Sequence, residues 1–107
     1  MKGAITIISA KTMRAKAMIA FPGGFGTMDE LFEALTLIQT GRMKRVPFLL
    51  FGQAFWEKII NWEALADAGT ISPEDLDLFR FVETAEQAAE IIDNWEPAPP
   101  RDDIPGR

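Results

Sequence analysis

The chain has 107 residues, of which 48% are hydrophobic and 25% are charged, as in an ordinary soluble globular protein. It carries 11 Lys and Arg against 16 Asp and Glu, a formal charge of −5. This balance argues against bulk nucleic-acid binding, which requires clustered basic charge. The absence of Cys and His excludes disulfides, thiol nucleophiles, Ser–His–Asp triads and histidine metal sites. Catalysis therefore has to use carboxylates, Lys, Arg, hydroxyl groups, backbone amides or a bound cofactor.

The apolar runs are short. The longest cover residues 18–21 and 46–51, far below the roughly 20 residues that a membrane helix needs. The N-terminal apolar stretch lacks the long hydrophobic region and cleavage site of a signal peptide. We therefore expect a cytoplasmic protein that does not contact a membrane.

Strand patterns alternate with helix patterns along the chain. Continuous apolar runs predict buried strands at residues 17–21 and 46–51, and shorter stretches predict strands at 4–8 and 79–82. Such alternation implies right-handed βαβ units and a parallel sheet, hence an α/β fold. Three or four strands are about half of a usual doubly wound sheet.

The helix patterns are amphipathic and have recognisable ends. Gly41 is well placed to end the longest helix in the left-handed conformation, and Gly69 ends the next. Ser72 and Thr84 are capping residues for two later helices. The predicted helices are residues 11–16, 27–40, 54–68, a short helix after 72, and 85–95. Residues 1–95 thus form one domain, and residues 96–107, with four prolines, are predicted to be a loose tail.

A glycine-rich turn joins the second predicted strand to the longest predicted helix. Its sequence is Phe21-Pro22-Gly23-Gly24-Phe25-Gly26-Thr27. Glycines let the backbone approach a ligand and adopt positive φ, and the first amides of a helix attract anions, most naturally phosphate. The spacing fits neither the dinucleotide motif nor the Walker P-loop. The pattern therefore predicts a phosphate or carboxylate site, or else a tight turn without a ligand.

Glu30 has two interpretations. Its spacing from Thr27 is that of a capping box, in which Glu30 only bonds back to the Thr27 amide. Alternatively, a carboxylate one turn from a phosphate site could orient water or a sugar hydroxyl, or stabilise an oxocarbenium ion. Asp29 points about 100° away from Glu30 on a helix and is assigned to solvent and to compensation of the helix dipole.

Residues 22–30, Pro-Gly-Gly-Phe-Gly-Thr-Met-Asp-Glu, match the PGGxGTxxE signature of the "lonely guy" phosphoribohydrolases. The chain resembles this family, long labelled "possible lysine decarboxylase", over about residues 13–95. The resemblance implies a Rossmann-like parallel sheet with flanking helices, of which this chain holds about half, and a homodimer. It also implies hydrolysis of the N-glycosidic bond of a nucleoside 5′-monophosphate such as AMP, giving free base and ribose 5-phosphate.

The resemblance makes Glu30 catalytic and assigns a phosphate site. The phosphate-binding residues that it implies are Gly23, Gly24, Phe25, Gly26 and Thr27. We expect no metal and no cofactor. The lysine decarboxylase label gains no support, because no Lys here has the setting of a pyridoxal Schiff base.

The N-terminal region departs from the family. The family carries an Arg-Lys pair about 15 residues before the motif proline, and that Arg is a catalytic partner of the Glu, whereas this chain has Ile7 and Ile8 there. Residues 1–12 are unlike the family, and the upstream half is missing, as in a truncated descendant or a chain that begins late. Losing one such electrostatic contact typically costs on the order of 10²–10³ in rate, so we expect impaired hydrolysis. Two alternatives stay open: a nucleotide-binding module without catalysis, or a fragment that needs a partner chain.

Three further groups have both a structural and a functional interpretation. Four aromatic residues favour core or dimer packing over a base-stacking surface; they are Phe48, Phe55, Trp56 and Trp62. The basic stretch at residues 42–45 favours a solvated turn over a phosphate contact. Thr36 and Gln39 line either a pocket or a dimer interface.

Overall fold

The computed structural model describes residues 5–9 and 16–95, with side chains for residues 17–95. The elements in chain order are β1 (Ile5–Ser9), β2 (Lys16–Ala20), α1 (Phe25–Gln39), β3 (Phe48–Phe51), α2 (Gln53–Ile59), α3 (Trp62–Asp67), a 3₁₀ helix (Pro73–Leu78), β4 (Arg80–Val82) and α4 (Ala85–Asp93). The predicted tail and the predicted helix at 11–16 lie outside the described residues, except that Lys16 begins β2.

The four strands form one sheet in the order β1-β2-β3-β4. β2, β3 and β4 are parallel, with Ala20 opposite Leu50 and Leu50 opposite Phe81, which confirms the predicted parallel sheet for these three strands. β1 is antiparallel to β2, so the prediction is wrong for this strand. The physical reason is the short connection: residues 10–15 are too few for a parallel crossover, which takes about a dozen or more.

Alternating side chains of the strands build two apolar clusters on opposite faces of the sheet. On one face Met18, Phe48 and Leu50 pack with α1, α2 and α3. On the other face a smaller cluster joins Ile19 and Leu49 to α4. The predicted core role of the aromatic residues is confirmed: Trp56 is fully buried, Phe48 and Trp62 are nearly so, and Phe55 packs against them.

The predicted single helix at 54–68 is wrong, because the chain breaks it into α2 and α3. Ile60 is extended, with φ −126° and ψ 123°, and the Asn61 side chain accepts a hydrogen bond from the Ala64 N–H at 3.1 Å, which caps α3. In a continuous helix Trp56 and Trp62, six residues apart, would point about 120° away from each other. The break therefore lets both Trp56 and Trp62 enter the core.

Helix ends agree with several local predictions. Gly41 (φ 75°) follows α1 in the left-handed conformation, as predicted, and Gly69 (φ 79°), predicted to end a helix, follows α3 in the same conformation. Ser72 opens the 3₁₀ helix through a capping box with Asp75. Thr84 caps α4 by accepting from the Gln87 N–H at 3.0 Å. None of the helices in the described ranges is long and apolar enough to cross a membrane.

Candidate functional site

The connections that follow β2, β3 and β4 meet at the carboxyl edge of the parallel strands. Phe21, directly after β2, stacks on Phe51 at the end of β3, with ring centroids 5.0 Å apart and planes inclined by 22°. The Gly52 N–H donates to the Val82 carbonyl at 2.9 Å. These contacts join the three connections into one surface, at the place where open α/β sheets bind ligands.

The glycine loop (residues 22–27) includes the first three residues of α1. The helix starts at Phe25, two residues earlier than predicted, with Gly24 as its N-cap and no side-chain cap. The Met28 N–H donates to the Gly24 carbonyl at 3.0 Å, and the amides of Phe25 and Gly26 precede this first helical bond. The first turn of α1 contains no acidic residue. The prediction that Asp29 compensates the helix dipole is therefore wrong, because the helix begins at Phe25 and Asp29 lies beyond its first turn.

The three glycines of the loop have different roles. A Cβ on Gly23 would collide with the Thr27 side chain, whereas a Cβ on Gly24 or Gly26 would meet nothing within 4 Å. The expectation of positive φ is wrong for all three: Gly24 has φ −101°, and the other two also lie outside that region. Gly23 is thus required by packing, and the open space over Gly24 and Gly26 leaves their backbone accessible to a ligand.

Thr27 and Glu30 do not form the capping box that their spacing allows. Because Gly24 is the N-cap, Thr27 is the third residue inside the helix, and its side chain is only 1% exposed. Glu30 is the sixth helical residue and is exposed, as is its predicted solvent-facing neighbour Asp29. Glu30 follows Thr27 by one turn, and Cα–Cβ bonds in a helix tilt toward its N-terminus, the end at which the glycine loop lies.

The structure separates the basic stretch at residues 42–45 from this site. The basic stretch at 42–45 follows the C-terminus of α1, and a 15-residue helix is about 22 Å long. Arg42 and Lys44 are exposed, and Arg45 donates to the Asp77 carbonyl at 3.0 Å. The solvated interpretation of this stretch is therefore the better one, because it lies too far from the glycine loop to contact the same phosphate.

The two Ile residues that stand in place of the expected Arg-Lys pair belong to β1. Ile7 lies opposite Met18 and Ile8 opposite Ala17 in the antiparallel register, whereas Ile5 lies opposite Ala20, the last residue of β2. Both positions are therefore within the sheet and short of the edge where the glycine loop begins.

Thr36 and Gln39 line a small pocket rather than the glycine loop. The pocket has a volume of about 90 Å³ and lies between α1, α3 and the 3₁₀ helix. Gln39 Nε2 donates to Asp75 Oδ2 at 2.7 Å, and the same oxygen accepts from the Ser72 N–H at 2.9 Å. Gln39 therefore ties the last turn of α1 to the 3₁₀ helix.

Glu83 is a residue at this edge that the sequence analysis missed. It follows β4 directly, and its Oε2 accepts a hydrogen bond from the Gln53 N–H, the first amide of α2, at 3.0 Å. Applying the carboxyl-edge rule to the predicted last strand, and not only to the second one, would have found it.

A parallel sheet flanked by helices, with a glycine-rich strand–loop–helix unit at its carboxyl edge, defines a Rossmann-like α/β protein. Residues 9–92 match the family described as possible lysine decarboxylase. The chain belongs to this family, as the resemblance of its motif predicts.

The chain is similar to plant phosphoribohydrolases and to a fungal cytokinin biosynthesis protein. Cytokinin riboside 5′-monophosphate phosphoribohydrolase LOG7 of Arabidopsis thaliana is 32% identical over 85 residues, 78% of this chain and 39% of the relative. The enzyme of the same description, LOG, from Oryza sativa subsp. japonica is 33% identical over 78 residues, covering 73% and 31%. A bifunctional cytokinin biosynthesis protein of Fusarium pseudograminearum is 32% identical over 76 residues, covering 70% and 16%. The chain thus spans about two-fifths or less of the length of these relatives.

Proposed function

We propose that this chain binds the 5′-phosphate of a nucleoside monophosphate at the glycine loop and hydrolyses its N-glycosidic bond with Glu30. The observation that carries the proposal is the start of α1: a helix without a side-chain cap, entered through Gly24 and Gly26, whose Cα atoms face open space. Membership of the phosphoribohydrolase-containing family supports it. Phosphate is the anion best matched to backbone amides at a helix start.

The position of Glu30 suits the proposed reaction. It lies five residues beyond Phe25, about 7.5 Å along the helix axis, and its Cα–Cβ bond tilts toward the end of the helix at which the loop lies. A ribose held by its 5′-phosphate extends over such a distance. In the proposed step water attacks C1′, the bond from C1′ to the base nitrogen breaks, and the base leaves with the electron pair and takes a proton from solvent water. Glu30 accepts the proton of the attacking water, and its charge stabilises the developing oxocarbenium ion.

A second candidate function is nucleotide binding without turnover. The observation that favours it is the placement of Ile7 and Ile8 within β1, where the family resemblance calls for Arg and Lys. The loss of a cation of this kind typically lowers the rate of the chemical step by a factor on the order of 10²–10³, and it leaves the phosphate site in place. The glycine loop serves both candidates, and only the chemical step separates them.

The proposal includes a homodimer. The family resemblance alone supports it, since exposed apolar side chains that are scattered singly are ordinary on the surface of a monomer. A cytoplasmic location stays a prediction from the sequence.

The test is adenine release from AMP, followed by chromatography, for the wild type, Glu30→Gln and the control Asp29→Asn. Asp29 is an adjacent exposed carboxylate on the same helix, so it controls for the loss of one negative charge. We expect release by the wild type and by Asp29→Asn, and a rate at least about 100-fold lower for Glu30→Gln. Equal release by Glu30→Gln and wild type contradicts the role of Glu30. Saturable AMP binding without release favours the second candidate.

A further inference from the structure

The small pocket beside the second half of α1 has no part in the proposed function. It lies between α1, α3 and the 3₁₀ helix and has a volume of about 90 Å³. Its α1 residues begin at Phe32, about 10 Å along the helix axis from Phe25. Phe32 and Thr36 are exposed, so the pocket is open to solvent on this side. Since an apolar cavity of about 150 Å³ holds benzene, the pocket has room for about four non-hydrogen atoms.

Three aromatic rings line the pocket and form a connected group. The Trp62 ring centroid is 6.1 Å from that of Phe32 and 4.4 Å from that of Phe79. The faces of aromatic rings carry partial negative charge and attract cations, most strongly where water is excluded. The charged group among the described lining residues is the carboxylate of Asp75, a residue that is 6% exposed. The rings and the carboxylate together favour a cation over an anion.

The side-chain donors of the pocket wall are directed at the protein itself. The Thr36 hydroxyl donates to the Phe32 carbonyl at 2.7 Å, and Gln39 Nε2 donates to Asp75 Oδ2 at 2.7 Å. The Trp62 indole N–H, which has no acceptor within the described part of the chain, is itself buried, so an anion in the pocket does not reach it. The Thr36 and Gln39 oxygens are acceptors. The polar part of the wall therefore suits a positively charged ligand.

The elements around the pocket add negative charge. α1 contains three carboxylates, α3 two and the 3₁₀ helix three, and none of these elements contains Lys or Arg. Arg45 reaches the 3₁₀ helix, where it donates to the Asp77 carbonyl at 3.0 Å, but it does not line the pocket. The combined field of these carboxylates attracts cations and repels anions, in keeping with the net charge of −5.

We propose that this pocket is a second binding site, which takes a small organic cation such as an alkylammonium ion of about four or five non-hydrogen atoms. The alkyl groups pack against the rings of Phe32, Trp62 and Phe79, and the ring faces and Asp75 hold the positive charge. The site shares no residue with the glycine loop or Glu30. Its ligand is therefore independent of the proposed hydrolysis.

The test is a titration of tetramethylammonium chloride into the wild-type protein at constant ionic strength. Binding is followed in two-dimensional NMR spectra by the indole N–H signal of Trp62, which is assigned from its loss in Trp62→Phe. The matched control ligand is tert-butanol, which has the same number of non-hydrogen atoms and a similar shape but no charge. We expect a saturable shift with tetramethylammonium, at least about tenfold weaker binding of tert-butanol, and no shift with acetate.

Two substitutions test the groups that are proposed to hold the cation. Phe32→Leu removes one ring and keeps an apolar side chain, so it should weaken binding roughly three- to tenfold. Its control is Phe21→Leu, because Phe21 is also 39% exposed and does not line the pocket. Asp75→Asn should weaken binding about tenfold or more. Its control is Glu74→Gln, an exposed neighbouring carboxylate in the 3₁₀ helix, which should leave the affinity nearly unchanged.

Thermal melts followed by circular dichroism establish that each variant is folded. Phe32→Leu carries the test if Asp75→Asn unfolds, since the Asp75 carboxylate also accepts from Gln39 and Ser72. Equal binding of tetramethylammonium and tert-butanol overturns the inference, because the pocket then recognises apolar groups alone. No shift of the Trp62 signal at tens of millimolar tetramethylammonium overturns it as well, and so does equal affinity of the wild type and Phe32→Leu.

Discussion

Gly23 and Thr27 are packed so closely that a Cβ on Gly23 would collide with the Thr27 hydroxyl group and its Cβ. Thr27 is buried at the third residue of α1, so this contact seats the start of the helix on the end of the loop. The motif residues therefore divide into two groups. Gly23 and Thr27 hold the loop in place, and Gly24 and Gly26 keep its outer surface open.

Gly23→Ala should destabilise the protein. The added methyl group overpacks the contact with Thr27, and such overpacking typically costs about 1–3 kcal/mol. Gly24→Ala is the matched control, because a Cβ there meets nothing within 4 Å and the change should stay within about 0.5 kcal/mol. The measurement is the free energy of unfolding from urea titrations. Equal stability of the two variants would show that the contact with Thr27 is not tight.

Asn61→Ala should weaken α3. The substitution removes the hydrogen bond from the Ala64 N–H to the Asn61 side chain, and loss of such a cap typically costs about 1 kcal/mol. Asn61→Asp keeps an acceptor at the same position and should retain most of the stability. Urea unfolding monitored by far-ultraviolet circular dichroism compares the three proteins. A single continuous helix over residues 54–68 predicts the opposite order, since Ala is the better residue inside a helix.

Trp56→Phe should cost more stability than Trp62→Phe. The Trp56 indole N–H donates to the Phe51 carbonyl at 2.9 Å, and its side chain is fully buried. For Trp62, no acceptor for the indole N–H is found within residues 17–95. Both substitutions remove similar volume, but only the first breaks a hydrogen bond, which adds about 1 kcal/mol to the loss. A larger loss for Trp62→Phe, measured by thermal or urea unfolding, would contradict this assignment.

Elements with strong local signals were predictable from the sequence. The apolar runs placed β2 and β3 to within two residues, and Gly41 marked the end of α1. The parallel arrangement of β2, β3 and β4 followed from the alternation of strands and helices. These features depend on short stretches of chain, whose periodicity and breakers can be recognised without knowing the tertiary structure.

The errors arose where tertiary packing overrides a local pattern. The spacing of Thr27 and Glu30 matches a capping box, but the helix starts at Phe25, and Thr27 is buried as its third residue. The break at Ile60 results from the burial of both Trp56 and Trp62, although Asn61, a favourable N-cap, was a sequence signal for it.

For the candidate site, the sequence indicated the loop and Glu30 but not Glu83. The predicted last strand indicates the position of Glu83 at this edge, but not its partner. The hydrogen bond of Glu83 with the Gln53 N–H joins residues thirty positions apart and depends on the pairing of β3 with β4, which local patterns do not reveal.

Calorimetric titration of AMP into the wild type and Gly26→Ala tests the central claim most directly. Gly26 is a helical residue whose Cα faces open space, so alanine should leave the melting temperature equal or higher while its methyl group obstructs a phosphate. We predict saturable binding by the wild type and at least about tenfold weaker binding by Gly26→Ala, a loss of about 1.4 kcal/mol. Equal affinity of the two proteins, or no saturation of the wild type at millimolar AMP, would contradict the assignment of the glycine loop as the phosphate site.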